Sequence, residues 1–161
     1  MISDRDVCDY ERDGVIVVPQ VLDQQLLTAL RLKIAELTRA ASSVSTHNDV
    51  YDLEPGHTPH DPRVRRIKSP HKVDPLFYDV VRQPQVTDIL KKLLGPDLRL
   101  HGSKLNMKSA HYGSPVEWHQ DWAFYPHTND DLAAVGIMMD DMELANGPLM
   151  IIPGSHKGPV H

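Results

Sequence analysis

The spacing of apolar residues changes character once along the chain, near Gly95-Pro96, and that change limits the fold more than any other feature. Before it, apolar side chains recur at three- and four-residue intervals. Leu26, Leu30, Ile34 and Leu37 form one stripe, so 24–41 is predicted to be an amphipathic helix with Asp23 as its N-cap. Ser3 and Asp6 frame the start of an earlier helix that Gly14 ends. Asp74-Pro75 opens another helical pattern, Pro84 restarts it, and Gly95-Pro96 stops it. The β-branched run "VIVVP" at 15–19 is expected to be one early buried strand.

After the change, apolar and polar residues alternate. "LRLHGSKLNMKS" at 98–109, the short stretch 116–120 after a Gly113-Ser114-Pro115 turn, "LAAVGIMMDDM" at 132–142 and "PLMIIP" at 148–153 all read as strands. Asn146-Gly147 reads as the hairpin turn joining the last two. The expected fold class is therefore α+β: one domain over 1–161, mainly helical through 97, with an antiparallel sheet beginning at 98. The polar, proline-punctuated segment 42–62 is expected to be a long loop, and a candidate lid.

Composition narrows the class. The chain has 161 residues, 24% charged and 40% hydrophobic, with a net charge of −5. That profile suits a soluble globular domain and gives no overall positive charge for gripping nucleic acid. The nearest basic cluster is Arg63, Arg65, Arg66 and Lys68, read either as a solvated strand edge or as a functional patch. Cys8 is the only cysteine, so no intrachain disulfide forms, and no apolar run reaches the roughly 18 residues of a membrane span. The N-terminus is too charged for a secretory signal, so a cytoplasmic protein, not a membrane protein, is expected.

The chemistry concentrates in "VEWHQDWAFYPHTNDD", 116–131, which holds both tryptophans and one of the two phenylalanines. In extended backbone, side chains two apart share a face, so His119 and Asp121 would converge while Gln120 turns aside. An imidazole and a carboxylate aimed at one point suit a divalent transition metal, and two histidines with one carboxylate make the facial site of non-heme Fe(II) oxygenases. The same pair also reads as a histidine and aspartate hydrogen-bonded in a polar rim. The surrounding aromatics read either as a wall excluding water or as a core cluster.

Taken in order, W-H-Q-D-W, N-G-P-L and P-G-S-H, preceded by "DGVIVVPQVLD" and "RVRRIKSPHKVDPLF", make the chain resemble the phytanoyl-CoA dioxygenase family over nearly its whole length. The resemblance implies a double-stranded β-helix (jelly roll, cupin-like) onto which the N-terminal helices pack. It also implies an enzyme that uses Fe(II), 2-oxoglutarate and O₂ to hydroxylate an aliphatic C–H of a small molecule or acyl substrate. His119 and Asp121 match the first two iron ligands. Related halogenases replace that carboxylate by a small residue, so Asp121 favours hydroxylation. Lys68 and Lys104 fall where the family contacts 2-oxoglutarate, although each also reads as a solvated surface charge. The third ligand, a histidine, and the arginine that clamps 2-oxoglutarate would lie beyond His161, with the remaining C-terminal strands. The chain is thus expected to be the N-terminal part of such an enzyme, inactive alone, or else a non-catalytic metal or small-molecule binding module or an inactive remnant. His101, His111, His127, His156 and His161 are the local substitutes for the missing ligand. The P-G-S-H turn is expected to be structural, with its histidine, His156, capping backbone groups.

Overall fold

A computed structural model of the chain describes residues 1–110, 113–125, 127–129 and 131–160. Helix α1, Asp4–Asp13, begins in a capping box: Asp6 N–H donates to Ser3 Oγ at 3.2 Å, and Ser3 N–H donates to Asp6 Oδ2 at 2.7 Å. Gly14 ends it at φ +78°, a left-handed conformation that suits glycine. Helix α2, Gln24–Ala40, starts where Asp23 accepts the Leu26 N–H at 2.7 Å. Its stripe buries Leu30 completely against Phe77 and Val80, with Leu26, Ile34 and Leu37 alongside.

The prolines act as expected. A short turn of helix, α3 (Pro70–Val73), precedes α4 (Pro75–Val81) and α5 (Pro84–Leu94). Asp74 caps α4 by accepting the Leu76 N–H at 2.9 Å, and Gly95 N–H closes α5 onto the Lys91 carbonyl.

The sheet departs from expectation. Its three antiparallel strands are β1 (Tyr51–Leu53), β2 (Val64–Lys68) and β3 (Lys104–Asn106), in the order β1-β2-β3. Two of them precede residue 98. The segment 42–62 is therefore not structureless: Tyr51, Leu53 and Glu54 are buried, and Tyr51 Oη donates to the Leu37 carbonyl of α2 at 2.9 Å. The basic run is not a strand edge either. It contains the central strand, with Val64 and Ile67 in the core and Arg66 and Lys68 on the other face.

The remaining expected strands are not formed among the described residues. Residues 15–19 run without ladder partners and Val17 is 90% exposed, because β-branched residues favour extended backbone but do not supply a neighbour to bond. Residues 116–120, 132–142 and 148–153 likewise have no strand assignment, and 98–109 narrows to β3. The alternation of 132–142 survives locally: Ile137 and Met139 pack on the Leu30 cluster while Met138 faces out. Arg31 Nε takes the Met139 carbonyl at 2.6 Å in place of a ladder bond. Asn146 closes a 3-10 turn, Leu144–Asn146, before Gly147 at φ +72°, but no hairpin follows. The outcome is an α+β fold with a small antiparallel sheet packed on α2.

Candidate metal centre

From β3 the chain passes to Ser114, which is anchored to the end of β1. Glu54, only 2% exposed, accepts the Ser114 hydroxyl at 2.6 Å and the Ser114 N–H at 3.2 Å. Burying a carboxylate requires such donors. This contact, which nothing local in the sequence signals, fixes where the next segment begins.

That segment carries the His-x-Asp pair. His119 Nδ1 lies 2.7 Å from the Glu117 carbonyl. A carbonyl only accepts, so Nδ1 carries the ring proton, and the neutral ring presents Nε2 as a bare lone pair. Nε2 in turn stands 3.3 Å from Asp121 Oδ1. Two acceptors this close require a positive centre: a second ring proton, or a cation between them. Two ligand atoms each about 2.1 Å from one ion and at right angles lie about 3.0 Å apart. The spacing therefore fits two adjacent positions on a metal, with the backbone carbonyl in the orienting role that commonly fixes a ligand histidine.

The convergence does not come from a paired strand. Gln120 is extended, at φ −109° and ψ 127°, and Asp121 opens the short helix α6, Asp121–Phe124. One extended residue is enough to put its neighbours' side chains on the same side. Phe124 turns back so that its ring meets the His119 ring edge-on, with centroids 5.6 Å apart. The other aromatics make neither a wall nor a core: Trp118 is 62% exposed, and Trp122 Nε1 reaches out to the Asn129 carbonyl at 3.3 Å. A cleft lined by His71, Tyr78, Leu98, Arg99 and Leu100, and another along Ser45–His47 and Leu53–His57, contain neither ligand; the pair sits on half-open surface.

Lys104 Nζ is 3.8 Å from Asp121 Oδ1, so β3 reaches the pair directly. Lys68 does not; it bonds Asp52 Oδ1 at 3.4 Å. Yet Lys68 and Lys104 are register partners, and with Arg66 and Asn106 they form one polar face of the sheet leading to Asp121. Arg66 belongs to the basic cluster noted in the sequence, and the alternation within 64–68 places it beside Lys68; Asp52 is the part of this face that sequence reasoning missed.

Among the described residues no group of three His, Cys, Asp or Glu side chains could hold a metal ion. His101 and His127 stack edge-to-face on each other, 5.0 Å between centroids. His156 donates from Nε2 to the Glu11 carbonyl at 3.2 Å, the backbone-capping role expected of it, although the capped group belongs to α1 rather than to its own turn. His111 and His161 lie outside the described residues. No helix of the described residues is long and apolar enough to cross a membrane.

Comparison with known proteins matches residues 10–161 to the family described as Phytanoyl-CoA dioxygenase (PhyH). A probable alpha-ketoglutarate-dependent hypophosphite dioxygenase of Stutzerimonas stutzeri is 40% identical over 153 residues, covering 95% of this chain and 53% of that protein. An ectoine dioxygenase of Bordetella parapertussis is 29% identical over 161 residues, covering 97% of this chain and 50% of that protein. The chain thus spans about half the length of these relatives. The crystal structure of EctD from S. alaskensis with bound Fe superimposes with a TM-score of 0.66 at 24% identity, over 77% of this chain and 42% of that one. That likeness is one of fold.

Proposed function

The chain belongs to the phytanoyl-CoA dioxygenase family, and on that premise we propose that it supplies two iron ligands and part of the cosubstrate cradle of a non-heme Fe(II)/2-oxoglutarate-dependent dioxygenase hydroxylating an aliphatic C–H of a small molecule. The observation that carries this reading is the 3.3 Å approach of His119 Nε2 to Asp121 Oδ1 with Nδ1 already committed to the Glu117 carbonyl. A neutral nitrogen and a carboxylate are two of the three donors of a facial triad.

The roles follow from the chemistry of each group. His119 and Asp121 would hold Fe(II), which when bound with 2-oxoglutarate supplies the O₂ activation that protein side chains cannot. The Glu117 carbonyl keeps the His119 lone pair aimed at the ion. Lys104 and Lys68 offer ammonium donors on the face that runs to Asp121, suited to the carboxylates of 2-oxoglutarate. The carboxylate of Asp121 occupies the position that a halide would need, so hydroxylation is the favoured outcome. The third ligand and a clamping arginine would come from outside the described residues. With further strands beside them, 132–142 and 148–153 would join a jelly-roll sheet; their exposed Val135, Met138, Leu149 and Ile152 suit that role. Of the proposed lid, Tyr51, Leu53 and Glu54 are buried in the core, so the parts left to move are the largely exposed stretches on either side, 45–49 and 55–62.

The test is succinate release from 2-oxoglutarate that requires both Fe(II) and O₂ and disappears in His119→Ala and Asp121→Ala. Activity that survives either substitution would refute the assignment. A second reading rests on the absence of a third donor among the described residues: a two-ligand module that binds a divalent ion without turnover. It expects metal uptake lost in Asp121→Ala, with no succinate formed under any condition.

A further inference from the structure

The last four carbonyls of a helix have no partners within it, and two of those of α1 find theirs far away in sequence. Gly14 N–H takes the Tyr10 carbonyl at 2.7 Å. His156 Nε2 takes the Glu11 carbonyl, 145 positions distant, and Gly154 N–H takes the Asp13 carbonyl at 2.8 Å. The His156 ring lies where a side chain on residue 14 would be; a Cβ there would overlap its Nδ1, Cγ and Cε1 atoms. The turn is itself rigid: Gly154 is left-handed at φ +79°, and Lys157 and Gly158 N–H bond back to Gly154 and Ser155. The Asp13 carboxyl is held below its ordinary value chiefly by Arg12, with Lys157 and His156 adding to the effect, so the turn also brings positive charge to the helix C-terminus, where the dipole favours it.

The opposite side of the same turn reaches the metal segment. Gln120 Nε2 donates to the Ser155 carbonyl at 3.0 Å. Gln120 is the extended residue between His119 and Asp121, whose backbone makes them converge. We propose that the Pro153–His156 turn is a positioning clasp: it grips the end of α1 through His156 and Gly154, holds Gln120 through Ser155, and so sets the spacing of the two metal ligands. His156, Gly14 and Gln120 are then positioning residues, none of which touches the metal. This inference rests on the metal reading above.

The experiment titrates the chain with Co(II), following the visible absorption of the bound ion. His156→Leu is expected to weaken Co(II) binding about tenfold, the lower end of what loss of an outer-shell support costs. His156→Gln, whose amide N–H₂ reaches as far as Nε2, restores it; Arg5→Ala, on the exposed side of α1, leaves it unchanged. Should His156→Leu fail to fold, Gln120→Met removes the donor to Ser155 and is read by the same standard. Wild-type Co(II) affinity in the folded variant overturns the clasp. If the wild-type chain takes no Co(II), the metal reading fails, and the clasp is judged separately by hydrogen exchange. Faster exchange of the amides of 118–122 in His156→Leu then supports it, and unchanged exchange overturns it.

Discussion

Lys68 on β2 lies directly across the ladder from Lys104 on β3. Like charges directly opposite on a sheet are destabilising, and here each ammonium has its own carboxylate: Asp52 for Lys68 at 3.4 Å, Asp121 for Lys104 at 3.8 Å. The carboxylates offset that repulsion, so the pair is close to neutral for stability. Lys68→Met and Lys104→Met should therefore leave the unfolding free energy from urea titration unchanged to within about 0.5 kcal/mol, since half-exposed pairs contribute little. The same variants should weaken 2-oxoglutarate binding about tenfold, as loss of a charge-assisted hydrogen bond does. Calorimetric titration with 2-oxoglutarate decides it: affinity equal to wild type would reduce both lysines to surface charges.

Glu54 and Ser114 join parts of the chain that are 60 positions apart. Ser114→Ala removes the hydroxyl that donates to Glu54 Oε2 and leaves that buried oxygen without it. The expected cost is about 1–3 kcal/mol, and Ser114→Thr should recover most of it. A urea titration that shows less than about 0.5 kcal/mol would mean that water replaces the hydroxyl at no penalty.

What was legible in the sequence divides along one physical line. Features set by neighbours in the chain were readable: the Ser3–Asp6 box, the Asp23 and Asp74 caps, the proline starts of α4 and α5, and the glycine ends. The His119–Asp121 convergence was readable for the same reason, because it depends on one extended residue between them. Most strands were not, because a strand exists only with a partner; of those expected, only 98–109 holds one, β3. "VIVVP" has the β-branched residues and no ladder, whereas β1 is three residues inside a polar stretch and is a strand because β2 lies beside it. The Lys68–Lys104 register, the Glu54–Ser114 anchor and the Gly14–His156 contact all join distant positions, and no local pattern encodes them.

Asp74 makes the stability pH-dependent on the acid side. Its carboxyl is held below its ordinary value first by the Leu76 N–H it caps and also by Lys33 at 3.2 Å, with burial opposing. Since the folded-state value lies below the unfolded one, near 3.9, the native state binds fewer protons there. Its contribution is fully present above that value and is lost as pH falls through the folded one. Melting temperature should drop between about pH 5 and pH 2, and Asp74→Asn should flatten part of that slope. At pH 7 the same variant should cost no more than the roughly 0.5–2 kcal/mol of a helix cap, asparagine being itself a good one. An unchanged acid slope in Asp74→Asn would assign the acid sensitivity to other carboxylates, such as Asp6 in the α1 box.

Gly14 carries two burdens at once, a left-handed backbone at φ +78° and the face of the His156 ring. They can be separated. The backbone alone makes alanine cost about 1 kcal/mol. The ring adds a steric term that exists only while His156 is present. Gly14→Ala should therefore destabilise the wild-type chain by about 2–3 kcal/mol, but by only about 1 kcal/mol in a His156→Ala background, a coupling within the range found for residues in contact. Four urea titrations close this double-mutant cycle. Additive effects would show that the ring moves aside freely when residue 14 acquires a side chain, and that the contact between α1 and the Pro153–His156 turn carries no energy at this point.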